Sequence, residues 1–168
     1  MGSAEIVRKV SVAYPDIQAS LLKDTHVEFI VPKDKIRGMV KLVDETFPMV
    51  FPENLFGVDL GEDKYQVNYI FWSRNNKLLV QLRVNLEGTE PALDSVCDIF
   101  EGFEWHERET HEMFGIMFNN HPDLRPLLLP DELVGKYPLR KSFQTDRSRL
   151  EEQTHPHPKK EETGGANE

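Results

Sequence analysis

Tyr65-Gln-Val-Asn-Tyr-Ile-Phe-Trp72, Ser73-Arg-Asn-Asn76 and Lys77-Leu-Leu-Val-Gln-Leu-Arg-Val-Asn-Leu86 follow one another without a break. In the last segment Leu78, Val80, Leu82, Val84 and Leu86 alternate with mostly polar neighbours, the period of a strand with one face in a core. The first segment is rich in aromatic and β-branched residues and reads as a partner strand. The short polar link of turn-forming residues predicts a hairpin, closed by Gly88.

Toward the N-terminus, residues 25–31 set Val27, Phe29 and Val31 against His26, Glu28 and Ile30, which predicts another strand. Ile36, Met39, Val40, Val43 and Phe47 then recur at helical spacing opposite Lys35, Arg37, Lys41 and Asp44, bracketed by Pro32 and Pro48. Residues 4–14 read as a short helix ended by Pro15. Residues 47–60 are broken by prolines and Gly57, so a connector with a short strand near 55–60 is expected. Toward the C-terminus, residues 91–100 are expected to be helical, with Pro91 in the first turn and Leu93, Val96, Cys97 and Phe100 on one side. Residues 105–114 read as a helix stopped by Gly115. This order predicts an α+β fold, a mixed or antiparallel sheet packed with helices, over residues 1–118.

Past Phe118 the periodicity ends. Residues 121–143 hold Pro122, Pro126, Pro130 and Pro138, yet also Leu124, Leu127, Leu128, Leu129, Leu133, Val134, Tyr137, Leu139 and Phe143. An extended Pro-rich C-terminal arm over 119–145 is expected, lying either along another subunit or back over its own sheet. Residues 146–168 are polar and read as a disordered tail, in which His155 and His157 would bind a metal weakly at most.

The 168 residues suit one domain, and 39% hydrophobic content supports one modest core. No run approaches the roughly 18–20 apolar residues of a membrane helix, and the charged N-terminus does not read as a secretory signal. A net charge of −9 argues against binding nucleic acid or anionic lipid directly. The one cysteine, Cys97, supports neither an intrachain disulfide nor an iron–sulfur cluster, and fits a reducing compartment.

The densest chemistry is Glu104-Trp-His-Glu-Arg-Glu-Thr-His-Glu-Met-Phe-Gly-Ile116, followed by His121-Pro-Asp-Leu-Arg125. His106, Glu109, His111, Glu112 and His121 are possible metal ligands, but His106 and His111 do not converge on a helix. Glu109 and Glu112 share a face, as paired carboxylates for acid–base chemistry would, yet no nucleophile, phosphate loop or dinucleotide fingerprint accompanies them. Glu104–Arg108 and Arg108–Glu112 are expected to pair as i, i+4 neighbours. Trp105, Glu109, Met113 and Ile116 line one stripe, which predicts a buried Glu109 paired with Arg125 or Arg140.

The order and spacing of Glu107-Arg-Glu109, Glu112-Met-Phe-Gly-Ile116, His121-Pro-Asp-Leu-Arg125 and Tyr137-Pro-Leu-Arg-Lys141 resemble the signature of the complex I 30 kDa subunit family. His111 and Glu112 stand where respiratory members usually carry an aromatic residue and Asp. Pro126 stands where they usually carry Arg, and Leu127-Leu-Leu-Pro130 is similar to archaeal membrane-bound hydrogenase members.

The resemblance implies a non-catalytic scaffold in the hydrophilic arm of an oxidoreductase complex, peripheral on the cytoplasmic face of the cell membrane. Such a subunit has no active site or redox centre of its own. Its large-subunit partner holds [NiFe] in group 4 hydrogenases, and iron–sulfur clusters sit in the small subunit. The complex would pass electrons from ferredoxin to protons and couple this to ion translocation. An equivalent subunit of a quinone- or F420-linked dehydrogenase is the alternative within the family. An independent metal-dependent enzyme built on the His106–His121 cluster is the alternative outside it. The residues implied for the partner interface are Glu107, Arg108, Glu109, Glu112, His121, Asp123, Arg125, Leu128, Tyr137, Arg140, Lys141 and Phe143.

Overall fold

The alternation in residues 65–86 becomes the middle of a five-stranded sheet. The computed structural model describes residues 3–47 and 49–144; the tail, with His155 and His157, lies outside the described residues. In chain order the elements are α1 (Ser3–Ala13), β1 (Gln18–Lys23), β2 (His26–Ile30), α2 (Ile36–Thr46), β3 (Val50–Gly61), β4 (Lys64–Ser73), β5 (Leu78–Glu87), β6 (Ala92–Asp94), α3 (Glu104–Phe114) and β7 (Met117–Asn119).

The main sheet runs β1-β2-β5-β4-β3. Only β2 and β5 are parallel, with Phe29 opposite Leu82; the other pairs are antiparallel, so the α+β fold has a mixed sheet. Val27, Phe29, Tyr65, Val67, Tyr69, Phe71, Val80, Leu82 and Val84 fill one face together with Ile36, Met39, Val40 and Val43 of α2 and Ile6 and Val10 of α1. Each such large side chain removed from water contributes about 1.5–3 kcal/mol. The opposite face is a polar ladder. His26 Nε2 meets Gln81 Oε1 at 2.9 Å, Gln81 Nε2 donates to Asn68 Oδ1 at 3.0 Å, and Arg83 pairs with Glu28. Sheets with antiparallel pairing tolerate one such polar face.

Three expectations need correction. Residues 91–100 are not a helix. Leu93, Val96 and Cys97 are buried as expected, but on β6 and the turn after it. β6 pairs in parallel with β7, and α3 crosses between them. The backbone there finds partners elsewhere: Ser95 N–H donates to the Asn119 carbonyl at 2.9 Å, and Val96 N–H to Glu107 at 2.9 Å. Apolar residues three and four apart in so short a run do not separate the two states.

The expected connector at 47–60 is mostly strand. β3 is an edge strand, and an irregularity between Pro52 and Asn54 absorbs the proline. β1 carries no alternating pattern because it is an edge strand with five of its six residues exposed, including Leu21 and Leu22.

The third correction concerns α3. Trp105 and Glu109 are exposed, so the first half of the expected stripe faces outward, while Met113 is partly buried and Ile116 fully buried. The inner face is Phe103, Glu107, Thr110 and Phe114. Gly57 of β3 permits this approach, since a Cβ there would stand 2.7 Å from the Phe114 ring.

Candidate functional site: helix α3 and the arm it holds

Helix α3 turns its charged residues in different directions. Glu107 points inward and is fully buried. Its carboxylate accepts the Ser95 hydroxyl at 2.5 Å and the Val96 N–H at 2.9 Å. Burial raises its pKa to about 7 against the pull of those two hydrogen bonds. The Tyr69 hydroxyl is buried within electrostatic reach of Glu107, has no hydrogen-bond partner among the described residues, and is pushed well above its ordinary value by burial.

Arg108 and Glu112 do not pair with each other as expected. Both reach the arm. Arg108 donates to the Arg125 carbonyl from Nε and Nη2 at 3.1 and 3.0 Å, and to the Pro126 carbonyl at 3.1 Å. The nearly buried Glu112 carboxylate accepts the N–H groups of Leu127, Leu128 and Leu129 at 2.9, 2.8 and 3.4 Å. A proline-rich segment has no ladder to satisfy its backbone, so side chains must do it. One helix face therefore supplies a donor for the carbonyls and an acceptor for the amides that follow. Pro126, which has no N–H, occupies a position where only its carbonyl is used.

The arm folds back over its own domain. The His121 side chain is fully buried, and its Nε2 donates to the Glu104 carbonyl at 3.1 Å. Its Nδ1 accepts the Asp123 N–H at 3.0 Å. Asp123 and Arg125 close a two-pronged fork at 2.9 and 2.7 Å, and that cation holds Asp123 well below the usual carboxylate range. Leu124 packs against the core. At the far end Leu139 N–H caps the Met113 carbonyl at 3.1 Å, and Arg140 Nε donates to the Phe114 carbonyl at 2.6 Å. These two contacts satisfy carbonyls that the end of α3 leaves open, and put a cation at the negative pole of the helix. Lys141 N–H reaches Asp59 at 2.8 Å, Phe143 N–H reaches the Arg140 carbonyl at 3.0 Å, and Tyr137 stacks on Arg140.

The expected pairing of Glu109 with Arg125 or Arg140 is overturned. Glu109 is exposed and needs no buried counter-ion, while Arg125 serves Asp123 and Arg140 serves Phe114 and two tyrosine rings. The three histidines weighed as metal ligands do not converge either. His106, His111 and His121 each bond a different carbonyl, those of Gly102, Ile116 and Glu104.

Another set does converge: Cys97, Glu107 and His121 bring ligand-type atoms within 4.8 Å of one another. The donor set fits a metal poorly. The Asp123 N–H occupies the lone pair of His121 Nδ1, so the ring proton sits on Nε2 and neither nitrogen is available. Burial pushes the Cys97 thiol up, away from the thiolate that metals bind. What the cluster does is tie α3, the turn after β6 and the start of the arm together. Arg37 of α2 joins it from outside, forking onto Asp98 at 2.7 Å and donating to the Ser95 carbonyl.

Sequence reasoning missed Ser95 and the anchoring role of Glu112. A serine two residues before a cysteine carries no pattern. Glu112 stood in the motif and among the implied interface residues, but as a partner of Arg108 rather than as an acceptor for the arm's amides.

The outside of this region exposes large apolar side chains alongside the charged Glu109. Trp105 is 66% exposed, Leu128 60% and Leu139 56%, and Phe56 of β3 lines one cleft with Leu139. A cleft of about 200 Å³ lies between Phe56, Glu109, Met113 and Leu139. A single exposed apolar residue is ordinary, but a group gathered around one helix marks an interaction surface. No helix among the described residues is long and apolar enough to cross a membrane.

Comparison with known proteins agrees with this architecture. A subunit of the F420H2 dehydrogenase of Methanosarcina mazei is 29% identical over 147 residues, covering 86% of this chain and 93% of its own length. A subunit of the NADH-quinone oxidoreductase of a Roseiflexus species is 33% identical over 146 residues, covering 84% of this chain and 83% of its own length. The fold matches a chain in the structure of the membrane-bound sulfane sulfur reductase, an archaeal respiratory membrane complex, with a TM-score of 0.78 at 24% identity over 89% of both chains. It also matches a trypsin-resistant fragment of Nqo5 with a TM-score of 0.61 at 20% identity, over 72% of this chain and 98% of the fragment. The family described as respiratory-chain NADH dehydrogenase, 30 Kd subunit, matches residues 29–149, which include the whole of α3 and its arm. The chain belongs to this 30 kDa subunit family, and is a subunit of a complex I-like respiratory complex.

Proposed function

We propose that the chain is a scaffold subunit without a redox centre of its own, which docks through the outer face of α3 and the fastened arm onto the large subunit of its complex. The observation that carries this is the exposure of Trp105 on α3 and of Leu128 and Leu139 on an arm whose backbone is fastened to α3 by Arg108, Glu112 and the Met113 carbonyl. A rigid backbone presenting apolar side chains outward loses little conformational entropy on binding.

The complex we propose is a membrane-bound, energy-converting hydrogenase. Its large subunit would carry [NiFe] and its small subunit iron–sulfur clusters, with this chain peripheral on the cytoplasmic face. His111, Glu112, Pro126 and the Leu127–Leu129 run favour that assignment. A second reading, an F420- or quinone-linked dehydrogenase, is favoured by the Methanosarcina relative, which matches over nearly its whole length. Affinity purification of the chain from native membranes, with mass-spectrometric identification of what accompanies it, separates the two. A [NiFe]-type large subunit supports the hydrogenase. An F420- or quinone-linked set keeps the scaffold role and changes the reaction. Recovery of the chain alone, under conditions that preserve other membrane complexes, overturns the scaffold reading.

A further inference from the structure

Of the two arginines between residues 121 and 143, Arg125 closes on Asp123, whereas no carboxylate among the described residues pairs with Arg140. The Arg140 guanidinium is nonetheless held on several sides. Nε donates to the Phe114 carbonyl, the Tyr137 ring lies 4.5 Å from it, and the Tyr65 ring of β4 lies 5.2 Å from it. Tyr137 adopts a φ of 50°, a left-handed conformation that costs a bulky residue about 1 kcal/mol or more. Gly115 is required twice. Its φ of 70° ends α3, and a Cβ there would stand 2.6 Å from Arg140 Nη2 and 2.8 Å from the Tyr137 ring. In an acidic chain, this much local order around a cation that no carboxylate among the described residues pairs with points to an anion supplied from outside.

The surroundings narrow the anion. Arg140, Tyr137 and Gly115 line a cleft of about 550 Å³ whose other walls include Glu90, His111 and Met117. His111 donates Nδ1–H to the Ile116 carbonyl, so its Nε2 is an acceptor. Glu90 and that acceptor disfavour a dianion such as phosphate, and a single carboxylate is the best match to a guanidinium edge left open by stacking. Arg140 directly follows Leu139, which lines the cleft at Phe56, and the half-exposed Met117 lines the cleft at Arg140.

We propose that the cleft beside Arg140 receives an aspartate or glutamate side chain of the subunit that docks on this face. The proposal rests on the docking reading above. The test measures how much of the full chain co-purifies in its complex from native membranes, for Arg140→Gln, Arg140→Lys and Leu128→Asp, alongside thermal melts of each free chain. The expected result is about a tenfold or larger loss of assembled Arg140→Gln, a smaller loss for Arg140→Lys, and free chains that stay folded, the Arg140 variants melting somewhat lower because they give up the Phe114 carbonyl and the two rings. If the glutamine variant melts early, the lysine variant, which keeps the charge and loses the planar fork, decides by the same loss of assembly. Normal assembly of both Arg140 variants while Leu128→Asp dissociates overturns the carboxylate site and leaves the docking reading standing. Normal assembly of all three overturns both. If acetate or inorganic phosphate raises the melting temperature of the free chain in an Arg140-dependent way, and the variants assemble normally, the site belongs to a free anion and the partner carboxylate is overturned.

Discussion

The sheet and the arm of this molecule are held by opposite kinds of force. Between β2, β5 and β4, backbone pairs with backbone, and stability comes from apolar side chains such as Phe29, Tyr69 and Leu82 leaving water. Between α3 and the arm almost nothing pairs backbone to backbone. Arg108, Glu112 and Arg140 bond to main-chain groups of another segment, while several apolar side chains face solvent. The first arrangement makes a domain. The second shapes a surface and keeps apolar side chains available to something else.

Mutations should separate the two regions by size and by reach. The largest effect is expected in the sheet: Phe29→Ala removes a fully buried ring and should cost about 3–5 kcal/mol of global stability in denaturant unfolding. Next comes Glu107, at the junction. Folded Glu107 keeps its proton up to about pH 7 where an unfolded glutamate gives it up near 4.5. The folded state therefore binds the extra proton in that window. Stability should fall by roughly 3 kcal/mol as pH rises from below 4.5 through 7, and then level off. Unfolding of Glu107→Gln across that range should lack this slope, and an equal slope in both proteins would remove Glu107 as its source.

Glu112→Gln replaces an acceptor oxygen by a donor facing amides, so at least one amide loses its partner. About 1–3 kcal/mol of local stability should go. Hydrogen exchange should quicken at Leu127, Leu128 and Leu129 while β4 and β5 amides keep their rates; equal loosening everywhere would erase the distinction between the two regions. The smallest effect on the free chain belongs to Leu128→Asp, within about 0.5 kcal/mol of wild type by thermal melt, although its assembly into the complex should fail.

The sheet was legible because period-two alternation records which side of a strand is buried, and Leu78 to Leu86 alternates without error. Helices α2 and α3 were legible in extent, α3 because Gly115 supplies a left-handed stop. The inner face of α3 was not. The helix's largest apolar residue, Trp105, looks away from the core, while the core side carries Glu107 and Thr110 beside Phe114. Helical periodicity assigns apolar residues to the inside, so it fails where a large apolar residue stands outside. The arm's path was out of reach for a different reason. It depends on side-chain hydrogen bonds to main-chain atoms 15 to 26 positions away, as from Glu112 to Leu127 and from Arg140 to Phe114, and such bonds leave no period in the sequence. The three short strands β1, β6 and β7 were missed because an exposed or three-residue strand has no alternation to show.

The Arg108–Glu112 grip takes hold of carbonyls and amides, groups that almost every amino acid brings. Within the grip, residue 126 is held by its carbonyl alone, and proline sits there. The route of the arm is therefore largely indifferent to which side chains travel along it. The exposed side chains at positions 128 and 139 can be exchanged without touching that grip. A few exposed letters can in this way be edited while the architecture beneath them stays put.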